Sequence, residues 1–278
     1  RAIYCSISGF GQVGVMRDKP SYDLLVQGES GLMEIIGQSD GPPTKVGFSL
    51  ADVNGGLAAV EGILLALFQR EKTGEGQRID ISMLESLVEW MGYPMYYAFD
   101  GATPPPRAGA SHSTIYPYGP FPTGDGGTVM LGLQNEREWQ LFCEKVMEQP
   151  ALARDERFDA NFKRSENRAA LRTLIDEVFA ELSAEQVIER LESAQIANAH
   201  VNDMAGVWQH PQLAARDRWR SVMTPGGEVP AALPPGRNAA YEPRMDAVPA
   251  LGQHSEAILK QLGYADEDVD KLRQAGTI

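Results

Sequence analysis

Apolar and polar positions in the first part of the chain follow two periods in turn. Ala2 to Ile7 supplies alternating and β-branched apolar residues before Gly9 to Gly14 interrupts them, which predicts a buried strand ending in a glycine loop. Asp52 to Arg70 is apolar almost all round, with Gly55, Gly56, Ala58, Ala59 and Gly62 permitting close approach, and predicts a buried helix. Its longest apolar run, Gly55 to Phe68, is broken by Glu61 and falls short of the roughly 18 uninterrupted residues of a membrane span. No transmembrane helix is expected. Arg70 to Arg78 ends the helix in a glycine turn, Arg78 to Met83 alternates like a strand, and a further helical run opens near Leu84. Such a helix, turn and strand belong in an α/β layer fold.

Between Asp100 and Ser113 the composition shifts to Gly, Pro, Ala and Ser, and the consecutive prolines Pro104 to Pro106 exclude an ordinary helix or central strand, marking a domain boundary. Ile115–Phe121 and Thr128–Leu133 flank the turn sequence Gly124-Asp-Gly-Gly127 and predict a hairpin. Its first arm carries Pro117 and Pro120 and is irregular or an edge. Asn135 with Glu138, and Ser183 with Gln186, have the spacing of capping boxes, and the apolar positions of Leu171–Leu182 and Val187–Leu191 suit amphipathic helices. The resulting plan is a large α/β domain over residues 1–105, a small α+β domain over 114–205, a linker over 206–250 and two helices within 251–278 that return to the large domain. Within that linker, Pro225 to Pro249 reads as a plain connector. The chain opens on Arg1 rather than Met and its first strand follows at once, so a further segment upstream is expected.

A length of 278 residues and 43% hydrophobic content allow a substantial core and exclude disorder of the whole chain. The formal net charge of -13 argues against a nucleic-acid partner, which needs clustered cations. Cys5 and Cys143 lie far apart with no secretory signal, favouring free thiols in a reducing cytoplasm. No metal is expected, because His112, His200, His210 and His254 form no HExxH or paired Cys/His spacing. Gly9, Gly11 and Gly14 match the dinucleotide pattern G-x-G-x-x-G, yet Pro20 follows too soon for a crossover helix, so neither nicotinamide nor flavin binding is expected.

Several short segments, taken in order, resemble the family III CoA transferases: Tyr22-Asp-Leu-Leu-Val-Gln27, Gly31-Leu-Met, Asp40-Gly-Pro-Pro43, Leu50-Ala-Asp52 followed by Gly55-Gly56, and Thr73-Gly-Glu-Gly-Gln77. The ending Leu251-Gly-Gln-His-Ser-Glu256, with Leu259 and Leu262-Gly263, extends the resemblance over essentially the whole chain. The resemblance implies a doubly wound large domain whose nucleotide-binding N-terminal part lies upstream of Arg1, a smaller inserted α+β domain, and a homodimer threaded as interlocked rings. It also implies an enzyme that moves CoA from an acyl-CoA to a carboxylic acid. No cofactor would be tightly bound, because the CoA thioester is a substrate, and neither a membrane nor a nucleic acid would be a partner.

Moving CoA between acids without losing the thioester's energy requires an enzyme carboxylate that forms an anhydride and then its own CoA thioester. By resemblance that carboxylate is Asp52. Read alone, Asp52 is a helix N-cap; the two readings are compatible, because a helix N-terminus favours a charged carboxylate. Tyr22 matches a position near the pantetheine and the reacting centre, and Arg17 and Lys19 lie in a stretch that runs along bound CoA. A core tyrosine and two solvated cations are the plainer alternatives. Arg107 to His112 matches a mobile small-residue lid, in which Gly109 supplies bending and Arg107 or His112 meets a substrate carboxylate, unless they are ordinary loop residues. Ile115-Tyr-Pro-Tyr-Gly-Pro-Phe121 and Gln134-Asn-Glu-Arg-Glu-Trp139 are similar to members acting on short dicarboxylates such as succinate, itaconate or citramalate. A 2-methylacyl-CoA racemase of the same superfamily is the nearest rival, but such an enzyme carries a histidine base where this chain has Tyr22. A non-catalytic CoA-binding remnant is the other.

Overall fold

Strands β1 (Tyr4–Ser8) and β2 (Arg78–Ser82) lie parallel, from Tyr4 opposite Arg78 to Ser8 opposite Ser82. Parallel neighbours need a crossover, and α1 (Asp23–Glu29), α2 (Leu32–Ile35) and α3 (Leu50–Thr73) supply it. A Cβ at Gly62 would stand 3.2 Å from the Ile79 Cγ2, so this glycine lets α3 lie close on β2. The helix ends at Gly74, whose φ of 77° suits glycine and whose N–H donates to Arg70 O at 2.8 Å. Next come α4 (Met83–Trp90), capped by the Ser82 hydroxyl, and α5 (Gly92–Tyr97). Val26, Leu32, Ala51, Met83, Leu87 and Met91 form the core of this part.

The sequence reading buried α3 all round; the structure covers one face. Ala51, Asn54, Gly55, Ala59 and Ala66 are buried, whereas Val53, Leu57, Val60, Leu64 and Phe68 are exposed along the opposite side. The small residues face β2, α1 and α4 and bring those elements close, and among the described residues nothing comparable covers the larger side chains. By length and composition α3 is also sufficient to cross a bilayer, with 24 residues and a mean hydropathy of 1.5 over its most apolar window, which the interrupted run in the sequence did not indicate. Its packing is that of a layer helix: the buried Asn54 side chain donates to Ser86 O at 2.6 Å.

The computed structural model describes residues 1–236 and 238–278, and the chain divides into two units, Arg1–Val201 and Asn202–Ile278. Within the first, β3 (Tyr118–Pro122), β4 (Thr128–Gly132) and β5 (Ala197–His200) form an antiparallel sheet with β4 central. The predicted hairpin is therefore present, with its proline-bearing arm at an edge. Helices α6 (Glu136–Leu141), α7 (Asn161–Glu166), α8 (Arg168–Phe179) and α9 (Ala184–Ser193) accompany the sheet. Their core gathers Phe121, Trp139, Phe142, Phe158, Ile175 and Phe179. Both expected caps form: Asn135 accepts from the Glu138 amide, and Ser183 and Gln186 close a reciprocal capping box. Arg164 is 2% exposed; its charge is balanced by two bonds to Glu136 and its remaining donors reach Tyr116 O and Phe158 O.

The second unit holds α10 (Met204–Trp208), α11 (Pro211–Ala215), a hairpin of β6 (Trp219–Thr224) and β7 (Gly227–Ala232), then α12 (Ser255–Gln261) and α13 (Asp266–Gln274). Strand β7 corrects the expectation of a plain connector after Pro225. The glycines of Thr224-Pro-Gly-Gly227 make the turn, Val229 pairs with Val222, and Pro230 is tolerated because β7 is an edge. Arg237, also in the expected linker, lies outside the described residues.

Candidate functional site

Helix α3 begins at Leu50, so Asp52 stands in its first turn and Ser49 takes the N-cap position, without a side-chain cap bond. The free amides of this turn are satisfied by other groups. Leu50 N–H donates to Phe48 O at 2.8 Å and Val53 N–H to Ser49 O at 3.1 Å. Ala51 N–H and Asp52 N–H both donate to Asp23 Oδ1, at 2.7 and 3.3 Å. The second oxygen of Asp23 accepts from Gln27 Nε2 at 2.7 Å, one helical turn further along α1. Gln27 is fully buried, and its Oε1 accepts the Val46 amide at 3.0 Å while Nε2 also reaches Phe48 O at 3.4 Å. The Asp52 side chain itself is exposed, and among the described residues no hydrogen bond or ion pair holds its carboxylate.

Tyr22 immediately precedes this network as the N-cap of α1, and its side chain is 78% exposed. Lys19 pairs with Glu29 at 2.6 Å and lies 5.3 Å from the centroid of the Phe10 ring, while Arg17 pairs with Asp18 at 3.1 Å. Exposed pairs of this kind are weak and exchange readily for another anion.

Arg107, Gly109 and His112 form a second group. Arg107 is largely covered: Nη2 donates to Gly41 O at 2.7 Å, Nε to Gln38 O at 3.2 Å and Nη1 to Glu34 O at 3.4 Å. Gly109 N–H donates to Gly37 O at 2.9 Å, its φ is 61°, and a Cβ there would approach the Gln38 amide to 2.7 Å. The turn favours glycine for its positive φ, whereas the exposed Gln38 side chain is free to move aside. His112 stacks on Tyr118, and its Nδ1 accepts from the Thr114 and Ile115 amides at 3.2 and 3.1 Å, an arrangement that leaves the ring proton on Nε2. A cavity of about 210 Å³ opens between this segment and Tyr93 and Tyr97. A larger one, of about 590 Å³, is lined by Arg107, Arg168 and Arg172. The two groups share the loop between α2 and α3: Arg107 grips it at Gln38 and Gly41, Gln27 at Val46 and Phe48.

Asp23 and Gln27, which hold the start of α3, and Arg168 and Arg172, which line the larger cavity, were not among the candidates read from the sequence. The first two lie in the motif beginning at Tyr22, and their four-residue spacing was the available signal; the arginines lie on α8 and carry no local motif. Burial pushes the Cys143 thiol up to about 12, despite the opposing charge of Arg164, and Cys5 is partly buried on β1. Among the described residues, no group of three or more His, Cys, Asp or Glu side chains is placed to hold a metal.

The family model for CoA-transferase family III matches residues 1–255, and the chain belongs to this family. It is 36% identical over 269 residues to the succinyl-CoA:mesaconate CoA-transferase of Haloarcula hispanica, covering 94% of this chain and 66% of that protein. Against the succinyl-CoA:glutarate CoA-transferase of Homo sapiens, identity is 30% over 279 residues, covering 99% of this chain and 63% of that protein. The chain thus spans slightly less than two thirds of the length of these relatives. A crystal structure of a CaiB/BaiF family protein from Brucella suis matches at 32% identity with a TM-score of 0.81, covering 94% of this chain and 68% of that one. The mixed α/β fold is shared with that family.

Proposed function

We propose that the protein carrying this chain transfers CoA from an acyl-CoA donor to a short dicarboxylic acid, with Asp52 as the covalent nucleophile. The observation that carries the reading is the Asp52 carboxylate itself, exposed in the first turn of α3 and unbonded while its neighbouring amides are taken by Asp23. Asp52 attacks the thioester carbonyl, CoA leaves as thiolate, and an aspartyl–acyl anhydride remains. The thiolate then attacks the aspartyl carbonyl and releases the donor acid, leaving an aspartyl-CoA thioester. Attack by the acceptor carboxylate and return of the thiolate to the acceptor's acyl carbon complete the transfer and restore Asp52.

Family membership and the named activities of the relatives support this reading, as mesaconate and glutarate are both dicarboxylates. The distal carboxylate is assigned to the cavity bordered by Arg107, Arg168 and Arg172, where planar guanidinium groups suit it. Tyr22 is assigned to the pantetheine arm, and Arg17 and Lys19 to the length of the CoA. Gly109 and His112 belong to the lid that keeps water from the anhydride. CoA enters only as a substrate. The working form is taken to be an interlocked homodimer with doubly wound large domains, and the exposed apolar stripe of α3 supports extensive cover by protein.

The test is to incubate the complete protein with succinyl-CoA, trap with hydroxylamine or borohydride, and locate the modified peptide by mass. Modification at Asp52, abolished together with turnover in a folded Asp52→Asn protein, is expected. Modification elsewhere, or full turnover by Asp52→Asn free of deamidated material, overturns the assignment.

A further inference from the structure

We propose that Asp23 is a positioning residue for the Asp52 nucleophile, capping α3 from outside the helix; this rests on the covalent role given to Asp52 above. A helix N-terminus leaves amides that an adjacent side chain usually satisfies. Here the adjacent Ser49 makes no such bond, and the amides of Ala51 and Asp52 go to one oxygen of Asp23. The first consequence is geometric. The backbone of the nucleophile is tied directly to α1, and no side-chain contact of Asp52 is needed to fix where its carboxylate starts.

The second consequence is chemical. An aspartate in the first turn of a helix can fold back and accept bonds from the free amides, which would direct its oxygens away from an incoming thioester. Asp23 occupies those amides, so the Asp52 oxygens are left for attack. Gln27 makes the arrangement rigid: its buried carboxamide donates to Asp23 Oδ2 and accepts from Val46, tying the cap to the loop that leads into α3. Asp23 and Gln27 thus belong to the recognised motif for a reason distinct from the CoA contact assigned to Tyr22.

The experiment compares Asp23→Asn, Asp23→Glu and Asp23→Ala in the complete protein, reading the rate of trapped Asp52 adduct at saturating succinyl-CoA and the KM for succinyl-CoA. Asparagine keeps one acceptor for the two amides but turns an NH2 toward Gln27 Nε2, so it is expected to lose rate and to remain faster than Asp23→Ala. Glutamate keeps the charge but shifts the acceptor by one methylene, and alanine removes it; each is expected to lose on the order of 10²-fold in adduct rate, as a misplaced reacting group does, with KM changed about twofold or less. A parent-like rate in Asp23→Glu overturns the proposal even if Asp23→Ala fails to fold. A loss confined to KM overturns it as well. If the parent protein forms its adduct at a residue other than Asp52, the nucleophile assignment fails first and the positioning role falls with it.

Discussion

Arg107 Nη2 donates to the carbonyl of Gly41 at 2.7 Å, joining the segment 107–112 to a loop 66 residues earlier in the chain. With the bonds to Gln38 O and Glu34 O this makes a three-pronged clamp that a lysine's single ammonium cannot reproduce. Replacing Arg107 by Ala removes three bonds, of which the one to Gly41 O is partly buried and the other two are exposed, and a loss of about 0.5–1.5 kcal/mol is expected. Urea denaturation of Arg107→Ala and Arg107→Lys measures it. Lysine is expected to recover less than half of the loss, and full recovery by lysine would reduce the clamp to a point charge.

Arg168 offers a separate check on the distal-carboxylate assignment. Its Nη2 donates to Ser113 O at 3.1 Å and its guanidinium lies 5.3 Å from the Tyr116 ring centroid, which orients the group at the wall of the larger cavity. Removing a charge-assisted contact of about 1.5–3 kcal/mol corresponds to a rise in KM of roughly 10- to 100-fold. Arg168→Met should therefore raise KM for glutarate by that factor and leave KM for butyrate nearly unchanged. Equal rises for both acids would move the distal carboxylate elsewhere.

Local signals recovered most of the elements. The two periods placed β1, α3 and β2, and the spacings at Asn135 and Ser183 marked true caps, because each of these depends on residues a few positions apart. Strand β7 was hidden by Pro230 and by the Pro225-Gly-Gly227 turn before it, which a two-stranded ribbon accommodates at its edge. The exposed side of α3 was hidden for the opposite reason, since apolar periodicity reports which positions want cover and not which chain provides it. The assignment of Asp52 as nucleophile came only through its motif. The cap that holds it was not legible, because Asp23 lies 28 residues before the amide it receives most closely, and capping rules inspect the residue next to the helix.

Asp125 makes the stability of the small sheet depend on acid. One of its oxygens accepts from Thr123 Oγ1 at 2.6 Å and Gly127 N–H at 3.0 Å, and the other from Ala184 N–H at 3.1 Å at the start of α9. The Thr123 hydroxyl first, then these amides, hold the carboxyl at about 2, below the ordinary 3.8. A carboxyl depressed by folding stabilises the folded state above its unfolded value, and that contribution fades as pH falls through the folded one. The window is therefore between pH 4 and 2. Asp125→Asn cannot reproduce both acceptors, so it should be less stable than the parent at neutral pH, and the difference should shrink as pH approaches 2. Asp155, also held at about 2, chiefly by the Arg157 side chain, titrates alike in both proteins and cancels from the comparison. Urea midpoints for the pair from pH 7 to pH 2 measure the effect. A difference that stays constant across that range would mean that Asp125 stabilises through its shape alone, with no contribution from its charge.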